Sequence, residues 1–290
     1  MGQHHPKNEL NDLDGTAWIK FTRTWFVCDS PRYHRNKGTE LHPARYPEEM
    51  AAEFLRFFTR AGGWVLDPFA GSGATLVACA EEGRRGVGVE LSERYAAIAG
   101  MRVALEGTPH VCLTGDAAAL ADPAFWAPHR EELGELPFAD GLPVFDYSIS
   151  SPPYGAMLHT SRGGVYSKHQ QRADQGLDAV YSADPRDLGN LRDLGAFLRA
   201  LGGVYRGVAR LLKPDAYLTI VMQNYRAPDG EVVPLAWELA RELADDLLFQ
   251  GERIWCQNTK PLGIWGYPRS FVPNYHHHYC LIFRNRAPRR

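Results

Sequence analysis

The chain has 290 residues, enough for one large α/β domain or two small ones. With 44% hydrophobic and 23% charged residues it can build a core, which excludes wholesale disorder. A formal net charge of −2 gives no global pull on nucleic acid, so such a partner would need a local basic face. Five scattered cysteines without a Cys-x-x-Cys pair support neither a zinc site nor a redox dithiol, and no metal site is expected. No apolar run spans a bilayer and no secretory segment follows the start, so a cytoplasmic protein with reduced thiols and no membrane partner is expected.

Residues 1–15 are polar and read as a loose N-terminus. In residues 17–40, Trp18, Phe21, Trp25 and Phe26 alternate with bases that include Arg32, Arg35 and Lys37. Two readings stand: nucleic-acid contact, or a short strand with its apolar side on a core. His42-Pro43-Ala44-Arg45-Tyr46-Pro47 leads into a helix over 48–59, with Glu48 and Glu49 near its positive end.

The apolar run Trp64-Val65-Leu66 ends in Asp67, and Pro68-Phe69-Ala70-Gly71-Ser72-Gly73 turns into a helix-like stretch. Glycines there permit turn dihedrals and close approach of backbone to a ligand. Arg85–Glu90 is a second strand whose terminal acid is placed to accept bonds from ribose hydroxyls. Leu76 stands where a dinucleotide fingerprint wants glycine, and no lysine follows the turn as in a P-loop. Asp67 would repel a pyrophosphate and attract a cation. A positively charged nucleoside without phosphate, S-adenosylmethionine, fits best.

Ser92 is expected to cap the next helix. The strand 110–114 ends in Gly115-Asp116, where Asp116 could read an adenine amine or simply cap the next segment. Residues 117–143 read as helix and loop, and Phe145–Ser150 as a fourth strand ending in Ser151-Pro152-Pro153-Tyr154. The long stretch 155–187 carries His159, Arg162, Lys168, His169 and Arg172 and reads as a functional loop. A helix over 188–213, a strand over 217–222, a helix over 234–248 and strands over 252–257 and 279–283 complete the chain. Strands alternating with helices imply a mostly parallel sheet covered on both faces, with ligands at the carboxyl ends of its strands. The Asp67 turn, Glu90, Asp116 and Ser151–Tyr154 all fall at such ends.

Two successive prolines present carbonyls in a rigid frame and donate nothing. A hydroxyl before them and an aromatic ring after them suit methylation of an aromatic exocyclic amine, whose delocalised lone pair makes it a poor nucleophile. The Ser151 hydroxyl and Pro152 carbonyl can orient the NH₂ and stabilise positive charge growing on nitrogen. Tyr154 can stack on a base drawn out of its helix.

With these motifs the chain resembles the DNA amino-methyltransferases, which make N4-methylcytosine or N6-methyladenine. Asp67–Gly73 looks like their cofactor motif, Ser151–Tyr154 like their catalytic motif, and His42–Pro47 like the segment that closes over the methionine part of the cofactor. The likeness runs from about residue 40 to 285. It implies an S-adenosylmethionine-dependent, Rossmann-like α/β fold with a seven-stranded sheet and an antiparallel final hairpin. The implied cofactor set is His42, Pro43, Tyr46, Asp67, Pro68, Phe69, Gly71, Gly73, Glu90, Leu91 and Asp116. The implied substrate is DNA, with a homodimer and a cognate restriction endonuclease as candidate partners. A serine at the first catalytic position favours cytosine N4 over adenine N6.

Here the cofactor motif precedes the catalytic motif, His278 stands where relatives often have Glu, and no separate recognition domain is visible. Residues 1–40 are expected to form an arm and 41–290 the catalytic domain. Recognition would then fall to the arm, the 155–187 loop and the 258–276 loop. A base amine in RNA, or a nucleic-acid-binding subunit with a vestigial pocket, are the alternatives. His276-His277-His278 makes a poor metal site because strand neighbours alternate faces.

Overall fold

The computed structural model describes residues 5–29, 46–104, 110–154, 184–227 and 229–286. Among the predicted functional residues, Arg32, Arg35, Lys37, His42, Pro43, His159, Arg162, Lys168 and Arg172 lie outside the described residues. His169 and the body of the 155–187 loop lie outside them as well.

The main sheet is built from β1 (Trp25–Val27), β2 (Trp64–Asp67), β3 (Arg85–Glu90), β4 (Val111–Thr114), β7 (Phe145–Ser150), β8 (Leu212–Met222), β11 (Leu247–Cys256) and β12 (His277–Asn285). Two small hairpins, β5 (Phe138–Ala139) with β6 (Leu142–Pro143) and β9 (Tyr225–Arg226) with β10 (Val232–Val233), stand apart from it. The strand order is β1-β11-β12-β8-β7-β2-β3-β4. All pairs are parallel except those of β12, which runs antiparallel to both β8 and β11. This is the expected Rossmann-like methyltransferase sheet with its antiparallel final hairpin, and it carries eight strands where seven were expected. The extra strand is β1, whose backbone pairs with β11 from Trp25↔Ile254 to Val27↔Cys256.

From β2 the chain steps outward to β4, then returns to the other side of β2 for β7 and β8. The carboxyl ends of β2 and β7 therefore flank the switch point of the sheet, where open α/β folds bind ligands.

The helices follow from pattern and caps. The first is α1 (Gly15–Phe21), followed by α2 (Glu48–Phe58), capped by Pro47 with both glutamates in the first turn. Its stripe of Met50, Phe54, Leu55, Phe57 and Phe58 is buried against the sheet face with Tyr147 and Ile149. After α3 (Ala74–Glu81) and α4 (Glu93–Ala104) comes the four-residue α5 (Pro123–Trp126). On the opposite face α6 (Leu194–Leu211) and α7 (Leu235–Glu242) pack with Leu66, Val87, Leu218 and Ile220.

Three expectations are corrected here. The helix expected over 188–213 is α6 preceded by a single 3₁₀ turn at Leu188–Asn190, because the Asp193 side chain accepts from Ala196 N at 2.7 Å and starts the helix there. The strand after it begins at Leu212 and runs through Pro214. Residues 140–141, read as loop, turn a hairpin: Asp140 and Gly141 both have positive φ (50° and 80°), the combination two-residue hairpins favour.

Among the described residues the N-terminal stretch is docked rather than loose. Asn11 is buried and donates to Phe57 O at 2.6 Å. Phe21 stacks on Phe57 at 3.9 Å, and Phe26 is buried beside Phe54. Arg253 of β11 lies over the Phe21 and Phe26 rings at 4.0 and 4.4 Å, donates to Arg23 O at 3.0 Å and pairs with Glu53 at 3.0 Å. Most of the arm's described aromatics thus serve the core, while Trp25 remains half exposed. Among the described residues no helix is long and apolar enough to cross a membrane.

Candidate active site

A cleft opens at the switch point. Its walls come from the β2 turn (Pro68, Phe69, Gly71), the end of β3 (Glu90, Leu91, Ser92), the end of β4 (Gly115, Asp116, Ala117) and the end of β7 (Ser151, Pro153). Those four strand tips are the ones the sequence singled out. Tyr95, Arg186, Asp187, Leu188 and Val204 close the rest.

Glu90 organises the wall. Its Oε2 accepts from Gly71 N at 2.8 Å and its Oε1 from Ser92 N at 2.9 Å, so the carboxylate ties the glycine turn to the start of α4. Burial raises its pKa, the Ser92, Gly71 and Leu91 amides pull it back, and the neighbouring Asp187 charge adds to the rise. A carboxylate has about four lone-pair directions, so with three amides bound one remains for a ligand hydroxyl.

The two turn glycines do different work. Gly71 (φ 52°) lines the cleft. Gly73 (φ 81°) does not: it caps α3, and a Cβ there would sit 2.9 Å from the Ala99 Cβ of α4. Its freedom serves the packing of two helices, not the approach of a ligand.

Asp67 is likewise set behind the lining. It is 2% exposed, its Oδ1 accepts from Phe69 N at 3.0 Å, and its Oδ2 accepts from the Tyr46 hydroxyl at 3.2 Å and from Thr75 Oγ1. Burial pushes its pKa up to about 7 against these bonds. Tyr46, carried by the segment before α2, is buried in the same cluster and also bonds Thr75 Oγ1. The pair Tyr46–Asp67 holds the turn from beneath.

Asp116 follows β4 after Gly115. It lines the cleft, and its Oδ1 accepts from Ala118 N at 2.9 Å to cap a 3₁₀ turn. Gly115 beside it leaves room for the Phe125 ring, 2.5 Å from where a Cβ would stand.

Ser151 and Pro153 face the cleft; Pro152 and Tyr154 are not among its lining residues. Tyr154, expected to stack on a base, is 7% exposed and packed in the main core. Its hydroxyl lies 3.0 Å from Ser151 Oγ and 3.3 Å from Val221 O. A phenol ring gains by burying its apolar faces once its hydroxyl is satisfied, and here that hydroxyl braces the serine.

Sequence reasoning missed Tyr95, Val204 and Asp187 as cleft residues. Tyr95 and Val204 have only helical periodicity as a signal, which marks core. Asp187 starts the 3₁₀ turn at Leu188, accepting from Gly189 N at 2.8 Å, and no strand end announces it. Arg186 beside it makes a two-point ion pair with Asp184, at 3.0 and 2.6 Å.

The chemistry of the lining is consistent. Three carboxylates, Glu90, Asp116 and Asp187, meet apolar surface from Phe69, Leu91, Leu188 and Val204. Acids on apolar walls suit a cation-bearing nucleoside, and the lining's Arg186 is already paired with Asp184. The histidine run alternates as strand geometry dictates: His277 Nε2 faces the Tyr279 hydroxyl at 3.2 Å, while His278 stacks on Trp255 at 4.7 Å and burial drives its pKa down to about 3.

Part of the chain is similar to known DNA methylases. A family model described as DNA methylase matches residues 3–101, about a third of the chain, spanning the glycine turn and Glu90. The type II methyltransferase M.SmaI of Serratia marcescens is 46% identical over 72 residues, 23% of this chain and 25% of that protein. The orphan methyltransferase M.BamHII of Bacillus amyloliquefaciens is 39% identical over 105 residues, 35% of this chain and 37% of its own length. The chain thus matches between a quarter and two fifths of these relatives. Among solved structures, TrmN from Thermus thermophilus aligns with 82% of this chain and 48% of its own at 15% identity and a TM-score of 0.47. The family model and the two relatives support the amino-methyltransferase family for this chain.

Proposed function

We propose that this protein transfers the methyl group of S-adenosylmethionine to the exocyclic N4 amine of cytosine in DNA. The observation that carries the reading is the shared wall: Ser151 and Pro153 line the same cleft as Gly71, Glu90 and Asp116. The cofactor fits the donor set, because the cleft offers carboxylates and apolar surface and its glycine turn lacks the lysine a phosphate would want. Bound there, it supplies an electrophilic methyl on a sulfonium centre.

The chain's own groups then divide the work. Glu90, oriented by the Gly71 and Ser92 amides, accepts from ribose hydroxyls. Asp116 accepts from the adenine amine, while Pro68, Phe69 and Leu91 supply apolar contact. The Ser151 hydroxyl and Pro152 carbonyl accept from the target NH₂, turn its lone pair toward the methyl and stabilise the charge that grows on nitrogen. Tyr154 fixes the Ser151 hydroxyl through their 3.0 Å contact. The proton leaves after the new bond forms, so no base of matched pKa is needed beforehand.

His42 and Pro43 complete the cofactor set in this reading. Arg32, Arg35, Lys37, His159, Arg162, Lys168 and Arg172 would contact the nucleic acid, and a homodimer or a companion endonuclease would be further partners. The serine at the head of the tetrapeptide favours cytosine; adenine N6 is the second reading, since the same acceptors can orient that amine. Nucleoside mass spectrometry of DNA and RNA incubated with protein and labelled cofactor tests the proposal. N4-methylcytosine in DNA is the expected product. N6-methyladenine would move the target, and DNA affinity with no methylated nucleoside and no calorimetric cofactor binding would leave a binding subunit.

A further inference from the structure

Residues 257–276 join β11 to β12, and they combine order with exposure. Asn274 staples the loop: its Oδ1 accepts from Gly263 N at 2.9 Å and Trp265 Nε1 at 3.0 Å, and its Nδ2 donates to Gly263 O at 3.0 Å. Lys260 Nζ donates to Tyr275 O at 2.6 Å, and Arg269 N and Ser270 N both donate to Gly266 O at 2.7 and 2.8 Å. The base is anchored by the arm, where the Asp29 carboxylate accepts from the Asn258 and Thr259 amides, each at 3.2 Å. On this frame Leu262, Ile264, Tyr267 and Phe271 are 78%, 85%, 82% and 88% exposed. A loop held by this many bonds gains nothing by showing four large apolar side chains to water.

Position and charge say what covers them. β11 runs parallel to β8, β7 and β2 in direction, so Cys256 ends at the same sheet edge as Ser150 and Asp67. Three strand spacings separate β11 from β7, about 14 Å, which is close to the width of a DNA major groove. The loop carries Lys260 and Arg269 and no carboxylate. We infer that the 257–276 loop is a DNA wedge: its apolar tip enters the base stack beside the target and helps release the base toward the Ser151 cleft. Apolar side chains that part base steps are a recurrent way to open a duplex, and base release is a cost any enzyme acting on a stacked amine must meet. The inference rests on the DNA reading proposed above, because substrate lying over this edge is what brings a duplex to the loop.

The test uses Tyr267→Ala/Phe271→Ala and Leu262→Ala/Ile264→Ala in the full chain. Turnover is compared on three oligonucleotides that share the methylated site: a matched duplex, a duplex mismatched at the target base, and the single strand. A wedge is needed only where the base is stacked and paired. Each variant should lose on the order of tenfold or more in kcat/KM on the matched duplex and keep wild-type values on the other two. Equal loss on all three, or no loss on any, would overturn the wedge while the methyltransferase reading stands. If the variants lost a wild-type dimer in sedimentation with an unchanged ratio between substrates, the tip would belong to a second copy and the wedge would again fall. A wild type that methylates none of the three would remove the proposed function and the wedge together.

Discussion

The two halves of the sheet put their carboxyl edge to opposite uses. In the parallel half, β2, β3 and β4 are followed by tight turns, and their terminal acids curl back onto backbone amides to enclose a cleft. In the antiparallel half, β11 and β12 continue into a 20-residue loop whose apolar side chains stand in water. The difference teaches that one edge of a sheet can be closed by short turns at some strands and extended by a long connection at others. After β2 and β3 the chain passes by a short turn into a crossover helix, α3 and α4, that covers the sheet. A hairpin has no helix to feed and can extend without disturbing the core.

The comparison can be broken first at the cleft. Ser151→Ala is expected to cut turnover on the order of 10²-fold or more while cofactor affinity, read by calorimetry, stays within about twofold of wild type, roughly the loss seen when one transition-state donor or acceptor is removed. Full activity would take Ser151 out of the chemistry. On the other half, Arg253→Ala should cost about 3 kcal/mol in a denaturant titration, since it removes a buried guanidinium, its bond to Arg23 O, its pairing with the partly exposed Glu53 and its contact with two phenyl rings. Unchanged cofactor affinity in that variant would show that the arm and β11 stabilise the fold without shaping the cleft; a parallel drop in affinity would join the two halves.

Gly73→Ala probes the seam between α3 and α4. Positive φ and a Cβ 2.9 Å from Ala99 predict a loss of about 2 kcal/mol in unfolding free energy, with weaker cofactor binding only as far as the Gly71 turn shifts. A neutral effect would mean that α4 yields freely.

A pH slope gives the last test. The folded pKa of Asp67, about 7, lies above its unfolded value, so the folded state holds more protons between about pH 4 and 7. The stability this group contributes is complete below the unfolded pKa and is lost as pH rises through 7, by at most ~1.4 kcal/mol per pH unit. Glu90, also raised by burial, acts with the same sign. Asp67→Asn should flatten the decline in melting temperature between about pH 5 and 8, and an unchanged slope would assign that decline elsewhere.

Much of the cleft is legible in the residues alone, and the reason is local. A buried parallel strand reads as an apolar run, and a polar residue that ends the run marks the edge where ligands bind. Asp67, Glu90, Asp116 and Ser151 each mark such an end, and the pattern finds three residues of the cleft and one, Asp67, that stands behind it. The turn glycines are legible as well, though not the division of labour between Gly71 and Gly73, which depends on how close α4 comes.

What the sequence alone determined was therefore the order of the strands along the chain and the polar residue at each tip. Tertiary structure decided the rest, because the deciding neighbours are far away along the chain. Arg253 of β11 made Phe21 and Phe26 core, where composition left nucleic-acid contact open. Val221 O and the core around it turned the Tyr154 ring inward, and the return of the chain at the 3₁₀ turn brought Asp187 beside Glu90. Aromatic rings and isolated acids carry no label for inside or outside; only the partner that satisfies the hydroxyl, the charge or the face does.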